Sequence, residues 1–161
     1  MQRDPLVPVL LRLDNDPPLF LARDVEGERV SWRDRLLSLG LIQEVAPTQF
    51  AVCGECQQGH IRRVRWLTDD RTGGVKAFLP CSECGPVQIS PDQLRRWAVV
   101  VPTLLENILI AAGGRGNPTE VVSGHLWHLG SVPWEGRQRD AYFARCPFHK
   151  SLGSIHGALM T

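Results

Sequence analysis

Two closely spaced cysteine pairs are the residues of this sequence with the clearest capacity for chemistry. Cys53 and Cys56 form the first Cys-x-x-Cys pair, and Cys81 and Cys84 form the second. A Cys-x-x-Cys turn brings two thiolates close enough to share one ion. Two such turns supply the four sulfurs that Zn²⁺ binds in a tetrahedral arrangement. We therefore expect one structural zinc ion bound by these four residues. A site with four protein ligands has no open position for catalysis.

The sequence around the two pairs also predicts how they meet. Residues 57–80 have the length of a β-hairpin, so both turns can lie at one end of it. Gly85 follows the second pair and can adopt a positive φ, which lets backbone N–H groups point at sulfur. In these features residues 49–90 resemble the zinc-ribbon, or rubredoxin-like, class of modules. The first turn departs from that pattern, because its glycine is Gly59 and not the residue after Cys56.

The same residues leave alternatives to a four-sulfur zinc site. Four thiolates can also hold a single iron ion or an iron–sulfur cluster, and His60 is close enough in sequence to replace one of them. A redox Cys-x-x-Cys needs only one pair, beside a βαβ pattern that the sequence lacks. The hairpin is rich in arginine and does not point to electron transfer, so zinc is the prediction.

A second metal site is not expected. Cys146 and His149 have ligand spacing, with His156 beyond them, but they lie in a weakly patterned tail that we expect to be loose. Cys146 is therefore predicted to be a free thiol. His125 and His128 are three residues apart on a predicted strand, so their side chains point to opposite faces. They are therefore not expected to bind one metal ion together.

Arginines on and after the cysteine hairpin are the candidate nucleic-acid-binding residues. They are interleaved with Trp66 and Trp97, and arginine among aromatic side chains suits contacts with phosphates and bases. The alternative is a solvated strand face whose charge is balanced by Asp69 and Asp70. The candidates are Arg62, Arg63, Arg65, Arg71, Arg95 and Arg96.

Composition restricts the remaining function classes. The net charge is +1, from 18 basic and 17 acidic residues, which argues against nucleic-acid binding by the whole surface. No apolar run approaches the roughly 20 residues that span a bilayer, so no membrane role is expected. The N-terminus lacks the apolar region and the cleavage site of a signal peptide, which predicts a cytoplasmic protein. We find no nucleophile elbow, phosphate loop or metalloprotease motif, and therefore expect no enzyme.

In the first half of the chain, Leu6–Leu13 is a brief apolar run, helix or strand. The sequence predicts a small hairpin of residues 19–23 and 29–30, and a helix that begins at Ser31 and ends before Gly40. Residues 49–53 read as a strand. Residues 61–66 alternate as a single strand, and strands at 75–79 and 87–89 follow the turn at 68–74.

In the second half, Ser90 has the features of an N-cap with proline after it, so we expect a helix there that Pro102 ends or kinks. A buried helix is expected from Leu104 to Ala112. Asn117 and Pro118 predict a short further helix. Residues 125–132 and 140–146 are predicted to pair as strands.

The predicted fold class is α+β, with a four-cysteine zinc-ribbon hairpin between small helical segments. The helix before Gly40 and the strand after it resemble the second half of a winged helix-turn-helix, and the segments that follow residue 104 resemble a second one. The expected divisions are a winged-helix-like segment 1–48, the zinc ribbon 49–90, helices with a β-hairpin 91–146, and the tail 147–161.

These resemblances imply a non-enzymatic zinc protein that associates with duplex DNA, as a regulator or as a subunit of a nucleoprotein complex. The alternative is a zinc-stapled adaptor that holds another protein in a larger assembly. A small metalloenzyme would need an open site built from Cys146, His149 or a histidine pair.

Overall fold

The computed structural model describes residues 6–15, 17–25, 30–56, 58–145 and 149–160 of the chain. The fold is mixed α and β, with small antiparallel sheets. The chain divides into two compact units. The first comprises Met1–Leu19, Asp34–Gln43 and Ala98–Thr161, and the second comprises Phe20–Arg33 and Glu44–Trp97.

The elements follow one another along the chain with short connections. In order they are α1 Leu6–Arg12, β1 Leu19–Leu21, α2 Val30–Ser38, β2 Ile42–Val45, β3 Phe50–Val52, β4 Ile61–Arg63, β5 Arg65–Thr68, β6 Val75–Cys81, β7 Gly85–Ile89, β8 Arg96–Val99, α3 Val101–Ala111, β9 Thr119–Val122, β10 Leu126–Trp134, β11 Arg137–Ala144 and α4 His149–Leu159.

The end of α2 confirms the prediction that Gly40 stops this helix. Gly40 has a φ of +66°, which glycine adopts without the steric cost that a side chain brings. The N–H of Leu41 donates to the carbonyl of Leu36, and that of Gly40 to Leu37, both at 3.0 Å. This paired arrangement satisfies carbonyls that the helix leaves without partners.

Strands β1, β8 and β2 form a three-stranded sheet in that order. The predicted hairpin of residues 19–23 with 29–30 is wrong, because β1 pairs with β8 and Val30 begins α2. Its turn residues 26–29 lie outside the described part of the chain. Between the end of β2 and the start of β8, the N–H of Thr48 donates to the carbonyl of Leu94 at 2.8 Å.

Residues 49–90, the cysteine module, contain two small sheets. Strands β3 and β4 pair antiparallel, and β5, β6 and β7 form a second antiparallel sheet. The single strand predicted at 61–66 is therefore two strands with different partners. If the register of β5 with β6 continued backwards, Arg63 would lie opposite Pro80, which has no N–H for the ladder.

The helix predicted from Ser90 is wrong. Only Pro91–Leu94 is helical, as a short 3-10 turn, and β8 follows it directly. The burial of β8 alternates, with Trp97 and Val99 buried, as a half-covered strand requires. Pro102 does not end a helix but lies in the first turn of α3, where its missing N–H is not needed.

Two further helix and loop predictions also fail. Residues after Pro118 form β9 and not a helix, since β-branched Thr119, Val121 and Val122 favour the strand that pairs with β10. The tail expected to be loose contains α4, in which Ile155 is buried. The predicted pairing of the last two strands is confirmed, with β10 and β11 joined through Glu135 and Gly136.

The first unit has its own apolar core. Leu105 and Leu109 of α3 pack with Trp127 and Leu129 of β10. The buried helix predicted from Leu104 to Ala112 is confirmed in part. Leu104, Leu105 and Leu109 are buried, but α3 spans Val101–Ala111, and Ala112 lies after it and is exposed. This core contains none of the residues of the cysteine module.

Candidate metal centre and arginine surface

The four cysteines predicted as ligands lie together in the second unit. The Sγ atoms of Cys53, Cys56, Cys81 and Cys84 are all within 4.8 Å of one another. All four are free thiols. Because zinc binds sulfur at about 2.3 Å, a tetrahedral ion needs sulfurs roughly 3.8 Å apart. The cluster needs to contract by about an ångström or less to hold a metal ion.

The ends of four strands position the thiols. Cys53 follows β3 and donates its N–H to the carbonyl of His60 at 2.9 Å, while Cys81 ends β6. The glycines predicted to shape the two turns both have positive φ, +60° for Gly59 and +74° for Gly85. The N–H of Gly59 donates to the carbonyl of Cys56 at 3.3 Å, which closes the first turn.

An apolar cluster lies beneath the thiols. Cys53 and Cys81 are buried in it, Cys56 is half-buried and Cys84 is exposed. Their neighbours in the cluster are Val64, Ala77, Leu79 and Leu94. This core is small, so a metal ion would contribute a large share of the module's stability. Structural zinc contributes about 10–16 kcal/mol in small peptides.

Neighbouring groups shift the thiol pKa values in opposite directions. Hydrogen bonds from the backbone N–H of Cys84, the side chain of His60 and the N–H of Glu83 lower the pKa of Cys81 to about 6. Desolvation and the nearby thiols of Cys81 and Cys53 raise the pKa of Cys84 to about 12. The second turn therefore favours one thiolate at neutral pH, and a metal ion would displace the proton of Cys84.

His60, considered in the sequence as a replacement ligand, lies beside the sulfurs. Its Nδ1 is 3.8 Å from the Sγ of Cys56 and 4.0 Å from that of Cys81. Cys56, His60 and Glu83 also form a group whose potential ligand atoms lie within 4.8 Å of one another. The set of four soft sulfur donors fits zinc and leaves no position for substrate.

Of the six candidate arginines, three have no ion-pair partner in the described part of the chain, and three have side-chain partners within the fold. Arg63, Arg65 and Arg71 are exposed, and their guanidinium groups form no ion pair with any residue that the structure describes. Arg62 is half-buried and donates to the carbonyl of Ile61 at 3.1 Å and to the Oγ of Ser82 at 3.4 Å. Arg62 thus supports the turn of the second cysteine pair.

Arg95 and Arg96, like Arg62, have side-chain partners within the fold. Arg95 makes two hydrogen bonds of 2.7 Å to the carboxylate of Glu44, and its guanidinium lies 5.2 Å from the ring centre of Trp97. Arg96 donates to the carbonyl of Ala46 at 2.9 Å. Both side chains have partners inside the fold. Their role in nucleic-acid binding stays a prediction.

Sequence reasoning missed an exposed apolar surface on the sheet β5–β6–β7. Leu67, Phe78, Pro80 and Pro86 lie on its outer face together with Arg65. Leu67 is 57% exposed and both prolines are exposed. The available signal was the parity of β6, since Phe78 and Pro80 alternate with the buried Ala77, Leu79 and Cys81. We call these five residues the outer face.

His125 and His128 each contact a different partner. His125 Nδ1 lies 3.3 Å from the carbonyl of Arg145, and His128 Nε2 lies 3.4 Å from the carboxylate of Asp140. Among the described residues neither belongs to a group that could hold a metal. Cys146 lies outside the described residues, so its predicted free thiol stays a prediction.

No protein-family model matches the chain, and comparisons with curated proteins and with solved structures give no match. Across the described residues, no helix is long and apolar enough to span a bilayer.

Proposed function

We propose that this chain is a non-enzymatic protein in which one structural zinc ion holds a zinc-ribbon module, and that the module binds the phosphate backbone of duplex DNA. The observation that carries the zinc centre is the mutual approach of four thiols within 4.8 Å. Iron has the same ligands available, so the identity of the metal is part of the proposal.

Three exposed arginines support the DNA-binding part. Arg63, Arg65 and Arg71 project from the module without a carboxylate partner in the described part of the chain. Guanidinium groups without partners are available to phosphate oxygens, with which they form charge-assisted, bidentate hydrogen bonds. A rigid scaffold held by metal would present them without losing much side-chain and backbone entropy on binding.

The order of the elements around the module supports a winged helix-turn-helix. The helix α2 is followed by β2, and β8 returns next to β1 in the same sheet as β2. The cysteine module occupies the connection between β2 and β8, which is the position of a wing. The Arg63–Arg65 segment would then belong to an enlarged wing, an element suited to lie along a phosphate backbone.

Metal analysis of freshly purified protein tests the zinc centre. We expect about one zinc per chain. Replacing Cys53 or Cys84 by Ser should remove the ion and unfold the cysteine module. Iron in place of zinc, or less than half an equivalent of any metal, would contradict the proposal.

The salt dependence of DNA affinity tests the arginine surface. Removing one side chain that binds a phosphate reduces the slope of log affinity against log salt concentration by about 0.9 for duplex DNA. The double variant Arg63→Ala/Arg65→Ala should therefore flatten the slope by nearly two units, with zinc content and melting temperature almost unchanged, because both side chains are exposed.

The matched control is Arg137→Ala/Arg139→Ala, which removes the same charge from exposed residues of β11 in the other unit. It should leave the slope unaltered. A slope that changes equally in both variants would mean that net charge alone governs binding. Arg63 and Arg65 would then not be specific phosphate contacts.

The outer face favours a second candidate function, docking of another protein. Leu67, Phe78, Pro80 and Pro86 expose apolar surface around Arg65, and an exposed apolar patch marks a protein-binding site more often than a DNA-binding one. The charge of Arg65 and of its neighbour Arg63 suits an acidic segment that carries apolar side chains.

Binding to a panel of acidic peptides with alternating apolar residues tests this second function. Leu67→Ser should abolish binding, whereas Val75→Ser should not, because Val75 is similarly exposed, at 54% against 57%, but lies on the opposite face of the sheet. Salt-sensitive DNA binding that survives Leu67→Ser would favour the nucleic-acid function instead.

A further inference from the structure

His60 approaches the metal centre from outside the set of four sulfurs. A single atom, Nδ1, lies within 4.0 Å of two different thiols, those of Cys56 and Cys81, one from each Cys-x-x-Cys pair. The residue is half-buried immediately before β4, and its carbonyl accepts the N–H of Cys53. The backbone of His60 is thus hydrogen-bonded to Cys53, a third predicted ligand, while its ring faces the thiols of Cys56 and Cys81.

We propose that His60 is a positioning residue of the zinc centre, which donates its Nδ1–H to the bound thiolates of Cys56 and Cys81. The inference rests on the proposed zinc site. A zinc ion with four thiolates is a dianion, and N–H donors around it offset that charge. A bound thiolate has no proton to give and can only accept, so the ring must carry its proton on Nδ1 to make these contacts.

Direct coordination by His60 is the alternative, and the geometry favours the hydrogen bond. Four sulfurs already lie within 4.8 Å of one another and would fill the four positions of a tetrahedral zinc ion, so a nitrogen ligand would have to displace one of them. The nitrogen faces the sulfurs at distances of weak N–H···S bonds. Such supporting contacts commonly change metal affinity by about 10–100-fold when they are removed.

The carboxylate of Glu83 is the neighbouring group that could accept the Nδ1–H of His60 in place of the thiolates. One of its carboxylate oxygens lies within 4.8 Å of the ligand atoms of Cys56 and His60. Because Glu83 is exposed and adds negative charge next to the thiolates, it should not strengthen zinc binding. Glu83→Gln should therefore keep the zinc affinity of the wild type or raise it.

Competition of the full chain with a coloured zinc chelator tests the proposal. His60→Leu should lower zinc affinity about 10–100-fold, while His60→Gln, whose amide can still donate an N–H, should lose much less. His128→Leu is the matched control, since His128 contacts Asp140 in the other unit, and it should leave the affinity unchanged. Circular dichroism of each zinc-loaded variant checks that it is folded.

The absorption spectrum of the cobalt-substituted protein separates the two roles of His60. Four-sulfur coordination should give the same charge-transfer bands in the wild type and in His60→Leu. Bands that shift in the variant would show that His60 is a ligand and would overturn the proposal. An unchanged zinc affinity in His60→Leu would overturn it as well. A wild type that binds neither metal would instead refute the zinc centre on which the inference rests.

Discussion

The two buried thiols of the centre, Cys53 and Cys81, and the exposed thiol of Cys84 lie at the same site but in different solvent environments. Zinc would remove this difference, because coordinated sulfur reacts slowly with thiol reagents whatever its exposure. A structural site with four ligands therefore predicts protection of all four cysteines, including the exposed one.

Thiol counting on the native protein measures that protection. One reactive cysteine is expected, Cys146, and the Cys146→Ser variant should have none. A zinc chelator should then release four further reactive thiols. Five protected thiols in the wild type, together with a metal content near two per chain, would mean that Cys146 is also a ligand.

Glu44 and Arg95 form an ion pair whose contribution depends on pH. Hydrogen bonding to Arg95 is the main reason that the pKa of Glu44 is lowered, with Arg33 adding a smaller effect. Because the folded-state pKa lies below that of the unfolded chain, the pair stabilises fully above the ordinary carboxyl pKa. Its contribution is lost as pH falls through the lowered folded value.

Replacing Glu44 by Gln should lower the free energy of unfolding by at most about 1 kcal/mol at pH 7, since both side chains are partly exposed. The difference from wild type should shrink as the pH falls through the lowered folded pKa of Glu44. Urea unfolding followed by tryptophan fluorescence measures it, with the exposed Glu106→Gln as the control. A difference that persists in acid would assign the effect to packing.

At the scale of elements, the end of α2 depends on one backbone conformation. Gly40 has a φ of +66°, and only Thr103 approaches the position of an added Cβ, at 3.9 Å. Gly40→Ala should therefore destabilise the protein by about 1 kcal/mol through backbone strain and not through a clash.

Gly157→Ala is the matched comparison for this helix end. Gly157 lies inside α4 without a positive φ, and an added Cβ would meet nothing within 4 Å. Alanine there should stabilise the helix by about 0.5–1 kcal/mol. Thermal melts of both variants should shift in opposite directions. Shifts in the same direction would contradict the assignment of Gly40 as the left-handed end of α2.

The elements that could be predicted from sequence are those whose cause is local. Cysteine spacing placed four thiols together, and Gly40 and Gly85 have the positive φ that their positions required. The alternation from Val75 to Leu79 and the turn before Arg137 likewise contain their own signals, so β6, β10 and β11 were expected.

The elements that could not be predicted depend on distant partners. Ser90 and Pro91 have the residue types of a helix start, yet β8 forms because residues far away in sequence supply its neighbours, β1 and β2. The sequence placed Trp97 among the candidate nucleic-acid-binding arginines, but the structure buries it in β8, with the guanidiniums of Arg33 and Arg95 over its ring. No local pattern encodes either contact.

At the scale of the whole molecule, the two apolar cores predict separable stability. One core contains Leu105 and Trp127, and the other surrounds the thiols of Cys53 and Cys81. Removal of zinc should unfold the second and leave the first folded, since none of the thiols belongs to the first.

Hydrogen exchange with and without a chelator measures this separation. Amides of β5, β6 and β7 should lose protection when zinc is removed, whereas those of β10 and β11 should keep theirs. The double variant of Cys53 and Cys81 to Ser should reproduce the pattern without a chelator. Loss of protection in all five strands at once would show that the cores unfold as one cooperative unit.

The hydrogen bond between Thr48 and Leu94 has a consequence for how such a chain can arise and be re-engineered. The two ends of residues 48–94 meet within 2.8 Å, so the whole segment leaves and rejoins the chain at almost one point. A segment with adjacent ends can be inserted into an existing hairpin, or excised from it, with little change in the geometry of the flanking strands. The segment that contains the four cysteines is therefore portable. A tight turn should be able to replace it, and another β-hairpin should be able to receive it.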